Sequence, residues 1–205
     1  PPTRPVRVPR GPLVLSLLCF AAYCALEVTT AGWTASYLEE HRGASATLAG
    51  LAVSGFWAGI TLGRLVMGRI PASPAQLLVG GGVVTAGAYL VVPFVPTAGA
   101  VVAVVVAGLA LAVVLPTLVV TTADRVGVAA AGPVTGWQML AANVGGTVCS
   151  GGMGFLVART DDGAPIRVLI ALALVGVPVL LRALAAHPDP ATDLDPAAAR
   201  APATS

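Results

Sequence analysis

The sequence predicts an all-α integral membrane protein with six transmembrane helices. Three observations predict it. The 205 residues are 57% hydrophobic and 10% charged, with a mean hydropathy of +0.90. A soluble domain is about a quarter charged, and a soluble core of this size cannot hide so much apolar sequence. Six separate apolar runs are each near the length of about 20 residues that a membrane helix needs. The runs also lack the alternating polarity of a membrane β-barrel strand.

The first run is 13–38, the second 46–66, the third 75–95 and the fourth 98–122; the fifth is 133–158 and the sixth 166–184. The sixth has Arg167 and Arg182 at its ends, where long side chains can reach the headgroups. The connectors are short: EEHRGAS, GRIPASP, PFVPTAG, ADRVGVAAAG and RTDDGAP. Residues 1–10 read as a cytoplasmic linker, 11–185 as the membrane domain, and 186–205, rich in Pro, Ala and Asp, as a disordered cytoplasmic tail. The opening PPTRPVRVPR has no Met and no signal-peptide pattern, which suggests a piece of a longer protein.

Orientation follows from arginine, the sole basic residue type besides two histidines. With the sides numbered alternately, the N-terminal side holds Arg4, Arg7, Arg10, Arg64, Arg69, Arg125, Arg182 and Arg200, and the other side Arg42, Arg159 and Arg167. The positive-inside rule then puts both ends in the cytoplasm of a cell (inner or plasma) membrane. A net charge of +2 is too small to imply a nucleic-acid partner. Cys19, Cys24 and Cys149 are odd in number and lack metal-ligand spacing. No metal site, no cofactor motif and no catalytic set is present, so the expectation is a protein that is not an enzyme. Its first partner is the lipid bilayer.

The first run contains Glu27. Steps of four and three through Ser16, Phe20, Tyr23, Glu27, Thr30, Thr34 and Tyr37 trace one helical face that gathers most of the polar and aromatic side chains of the run. An ionisable group at membrane depth costs a few kcal/mol or more and rarely faces lipid. Glu27 is therefore expected to face the bundle interior, binding a polar substrate, carrying a proton or holding two helices together. Trp33 reads as an interfacial anchor or as a stacking platform for a sugar ring.

In the second run Gly55, Gly59 and Gly63 recur every four residues, a seam for close helix approach. Trp57 lies off that seam, as lipid-facing bulk or pocket wall. Arg64 is expected to pair with a loop acid or a helix C-terminus. The third run carries VGGGVVTAG, without the Lys and Ser/Thr of a phosphate loop. Gly108 and Pro116 can bend the fourth run. In the fifth, Gln138 and Asn143 are costly in lipid and are expected to face the bundle interior, while Gly145, Gly146, Gly151, Gly152 and Gly154 slim the helix.

The segments GWTASYL, GFWAGITLGRLVMGRI, LPTLVVTTADR and NVGGTVCSGGMGFL together resemble the second, C-terminal six-helix half of a major facilitator superfamily transporter, over about residues 11–185. Gly59, Gly63, Arg64, Gly68 and Arg69 match the superfamily pattern G-x-x-x-G-R-x-x-x-G-R. The usual Asp-Arg of the following loop is replaced by IPASP, so no gating salt bridge is carried over there. An acid followed by Gly-Trp and Tyr-Leu in the first run is most similar to the fucose-permease and sodium-linked glucose transporter branch.

The resemblance implies one half of a major-facilitator-type bundle that works with a missing N-terminal six-helix half. It implies alternating-access symport of a small polar, sugar-like solute coupled to an ion gradient, with the proton or sodium as coupling ion. The first, second, fourth and fifth helices would border the cavity and the third and sixth would face lipid. Substrate or proton-coupling candidates are Glu27, Tyr23, Thr30, Trp33, Gln138 and Asn143. Packing or gating candidates are Gly55, Gly59, Gly63, Arg64, Gly68 and Arg69. The alternatives are an exporter of drugs or metabolites of the same superfamily, and a non-transporting six-helix assembly partner.

Overall fold

A computed structural model describes residues 10–185, all in helices and short connections with no strand among them. The predicted linker, apart from Arg10, and the predicted tail lie outside the described residues. The helices are α1 (Arg10–Ser36), α2 (Ala46–Val66), α3 (Pro74–Val91), α4 (Thr97–Leu111), α5 (Val114–Val120), α6 (Thr122–Val126), α7 (Val128–Arg159) and α8 (Ala164–Ala185). Six stretches are long and apolar enough to cross a membrane, with α4 and α5 together making the fourth. The protein is an all-α, multi-pass membrane protein.

Local chemistry sets the ends. Ser73 and Gln76 form a reciprocal capping box at the start of α3, with Pro74 at its first position. Ser45 accepts the Leu48 N–H at the start of α2. Past Ser36 the chain winds into a π-turn over Tyr37–His41, where His41 stacks on Tyr37. Arg42 then donates to the Tyr37 hydroxyl and to the Val92 and Val95 carbonyls, satisfying the end of α3. Asp161, in the last connection, accepts from Arg167 at 2.9 Å and from the Gly163 N–H at 2.7 Å. These bonds hold its carboxyl below the usual carboxylate range.

The fourth run is interrupted next to Pro116, one of the two residues expected to bend it, and the fifth starts earlier than expected. The fourth is broken: the α-helix is interrupted at Ala112–Val113, four residues before Pro116, whose ring removes the N–H that would bond the Ala112 carbonyl. The connector ADRVGVAAAG is largely helical, since α6 continues to Val126 and α7 starts at Val128. Gly127, at φ +83°, makes the separation. The fifth helix thus begins five residues before Pro133, which sits inside it.

Helix pairing repeats between the first three spans and the last three. α1 packs on α7 as α4 packs on α2, α1 packs on α8 as α4 packs on α3, and α3 and α8 touch each other. With three spans per unit, the second unit enters the membrane inverted. Both strong pairings rest on glycine. A Cβ on Gly59 would lie 2.7 Å from the Val105 carbonyl oxygen and 2.9 Å from the Leu109 nitrogen. One on Gly145 would lie 2.8 Å from the Ala21 backbone. Gly55 and Gly63 complete the α2 seam against Val105, Leu109 and Ala112, so the expected close approach is to α4. Gly68 has open space around it and Arg69 is exposed.

Candidate functional site

The polar stripe of α1 lies in the core. Ser16, Phe20, Tyr23, Thr30, Thr34 and Tyr37 are buried within this six-helix unit, and Glu27 is 9% exposed. The stripe therefore packs against the unit's own helices, where the resemblance implied a cavity lining. Most of its hydroxyls are occupied. Thr30 bonds the Tyr89 hydroxyl of α3 at 2.6 Å and the Leu26 carbonyl at 2.7 Å. Ser16 accepts from Gln138.

Glu27 forms a three-residue cluster. The Tyr23 hydroxyl donates to Glu27 Oε1 at 3.0 Å. Arg64 Nη2 donates to the Tyr23 hydroxyl at 3.1 Å and lies 3.5 Å from Glu27 Oε1. This corrects the expected partner of Arg64: it is a carboxylate deep in the membrane. Side chains tilt toward the N-terminus of their own helix. α1 and α2 run in opposite directions, so Glu27 leans toward the end of the bundle where the chain begins and Arg64 leans away from that end. The two meet. Glu27 lies about 25 Å along the helix from Arg10 and about 21 Å from His41, near mid-membrane. The Arg64 side chain is 41% exposed, so the pair has one buried member and one that reaches the open face of α2. Ser54 and Thr61 are exposed on the same face, beside the exposed Trp57.

The two amides of α7 separate. Gln138 is buried as expected, donating to Ser16 Oγ at 2.6 Å and accepting from Thr122 at 3.2 Å. Asn143 is exposed on the six-helix unit, on the helix that the resemblance placed beside the cavity between two halves, and returns its amide to the Met139 carbonyl of its own helix at 2.7 Å. That internal bond lowers the cost of exposing it. Trp33 is half-buried and its indole N–H donates to the Ser150 carbonyl at 3.0 Å, pinning α1 to α7.

A second polar cluster went unrecognised in the sequence. Arg125, read there as a loop cation, is 3% exposed. It donates to the Thr121 and Thr122 hydroxyls and to the Leu118 carbonyl, and its Nε has no partner. No carboxylate pairs with it among the described residues. Through Thr122 the network reaches Gln138 and Ser16, tying the fourth, fifth and first spans at one end. The ADR tripeptide gave one signal, an arginine adjoining two threonines at helical spacing. Arg125→Lys keeps the charge and loses the fork. It is expected to cost about 1–3 kcal/mol, read as a fall in the detergent melting temperature.

A small, partly open cavity against Cys19, Tyr23 and Thr85 measures about 30 Å³, room for a water or two and no more. No group of three His, Cys, Asp or Glu side chains converges to hold a metal among the described residues. No protein-family model matches the chain, and no curated protein matches its sequence.

Proposed function

We propose that this chain is one six-helix half of a secondary transporter of the major-facilitator type. It moves a small polar, sugar-like solute across the cell membrane by alternating access, with an ion gradient, the proton first, as the driving force. The Glu27–Tyr23–Arg64 cluster carries this reading. It is an ionisable pair near mid-membrane, joined by a hydroxyl and open on one side to the exposed face of α2 that carries Ser54, Trp57, Thr61 and Leu65. Ionisable groups at that depth mark ion and substrate pathways. The repeated three-span packing supports it, since transporter bundles are built from such inverted units.

In the proposed cycle the chain's own residues supply the coupling. A proton on Glu27 neutralises the carboxylate and weakens its hold on Arg64. The guanidinium, already half-exposed, is then free to donate to a solute oxygen on the open face, and Tyr23 follows whichever partner remains. Loss of the proton restores the pair. An uptake screen of the full-length protein in proteoliposomes, with and without a pH gradient, tests the reading. A polar solute should accumulate against its gradient only when the pH gradient is imposed. If no solute moves under either condition, the reading fails.

A further inference from the structure

A groove of about 750 Å³ runs between α1, α7 and α8, on the side of α1 away from Glu27. Its walls are apolar throughout and include Val14, Leu18, Ala21, Val144, Val148 and Val175. Most of these are exposed within the six-helix unit. The groove spans residues 14–25 of α1, about 17 Å of helix. One leaflet of hydrocarbon is about 15 Å thick, half of a core of about 30 Å. The length thus matches a single acyl chain.

Both flanking walls end in arginine at the same rim. Arg10 precedes Val14 by four residues and Leu17 by seven, so it continues the groove face of α1 by one turn. Arg182 follows Val175 by seven and Val179 by three and continues the face of α8. The chain enters at Arg10, and after six spans α8 ends at the same side. The two cations stand at headgroup level in one leaflet, and neither pairs with a carboxylate among the described residues. Basic positions between helices at such a level recognise lipid phosphates.

We infer that the groove between α1, α7 and α8 seats an acyl chain of an anionic phospholipid whose phosphate lies against Arg10 and Arg182. The inference rests on the chain spanning a membrane and is independent of transport. The test titrates the full chain in detergent with phosphatidylglycerol or phosphatidylcholine and measures retained lipid by native mass spectrometry. The wild type should hold phosphatidylglycerol up to about thirtyfold more tightly than phosphatidylcholine, from two arginines near the surface at about 1 kcal/mol each. Arg10→Gln/Arg182→Gln should erase that preference and keep the weaker, shared binding. Val175→Trp, which fills the groove and leaves both charges, should weaken both lipids. Equal binding of the two lipids by the wild type, a preference that survives the double substitution, or unchanged binding in Val175→Trp would each overturn the inference. So would a dimer that Val175→Trp abolishes, since a second copy of the chain would then occupy the groove.

Discussion

Gly145→Leu is expected to unfold the α1–α7 pairing, while Gly151→Leu on the same helix is expected to leave the melting temperature nearly unchanged. The contrast follows from what each position meets. A Cβ on Gly145 runs into the Ala21 backbone, which no rotamer change can clear, whereas nothing lies within 4 Å of one on Gly151. Overpacking at a site that can partly yield costs about 1–3 kcal/mol, and a main-chain clash with a full isobutyl group should exceed it. Gly59→Leu should do the same to the α2–α4 pairing, because the Val105 and Leu109 main chain stands against it. Size-exclusion profiles and detergent melting curves of the three variants decide the matter. Similar behaviour of Gly145→Leu and Gly151→Leu would remove the close approach from the account.

Arg64→Met is the second large effect. It strips the cation from Glu27 and leaves the carboxylate with Tyr23 alone. Breaking a fully buried ion pair costs about 3–5 kcal/mol. Here Arg64 is partly exposed, so about 1–3 kcal/mol is expected after allowing for screening. The sign of the second step is informative. Glu27→Gln in the Arg64→Met background removes the unpaired charge and should recover much of the lost stability. The double variant should therefore melt above Arg64→Met by more than Glu27→Gln alone raises the wild type, a coupling that a non-interacting pair would not show.

The membrane architecture was legible because hydropathy over about 20 residues is a strong signal. The glycine seam at Gly55, Gly59 and Gly63 was legible for a similar reason, since a repeat of four places small residues on one line of a helix. Which helix it met was not in the sequence, because that depends on how six similar cylinders pack. Periodicity also put Glu27, Tyr23 and Thr30 on one face and identified that face as protected from lipid. It could not distinguish a cavity wall from the unit's own core, where most of the face proved to lie.

The partner of Arg64 was missed because its position near a helix end suggested the membrane surface. The tilt of antiparallel side chains brings it to Glu27 instead. Arg125 was missed because a charge in a short apolar connector resembles any loop arginine; only the helical continuation through Val126 buries it. Asn143 lies on the exposed side of α7, where its donor is satisfied by the carbonyl four residues back; the cavity face of a half-transporter is exposed in the same way.

The measurement that tests the proposed coupling most directly is transport by the full-length protein carrying Glu27→Gln, assayed both as gradient-driven uptake and as counterflow exchange. If Glu27 carries the proton, uptake against a solute gradient should be lost while exchange, which needs no net proton movement, should persist. If Glu27 also holds the solute, both should fall. Both activities at wild-type level would contradict the account, since the Glu27–Tyr23–Arg64 cluster would then hold helices together and nothing more.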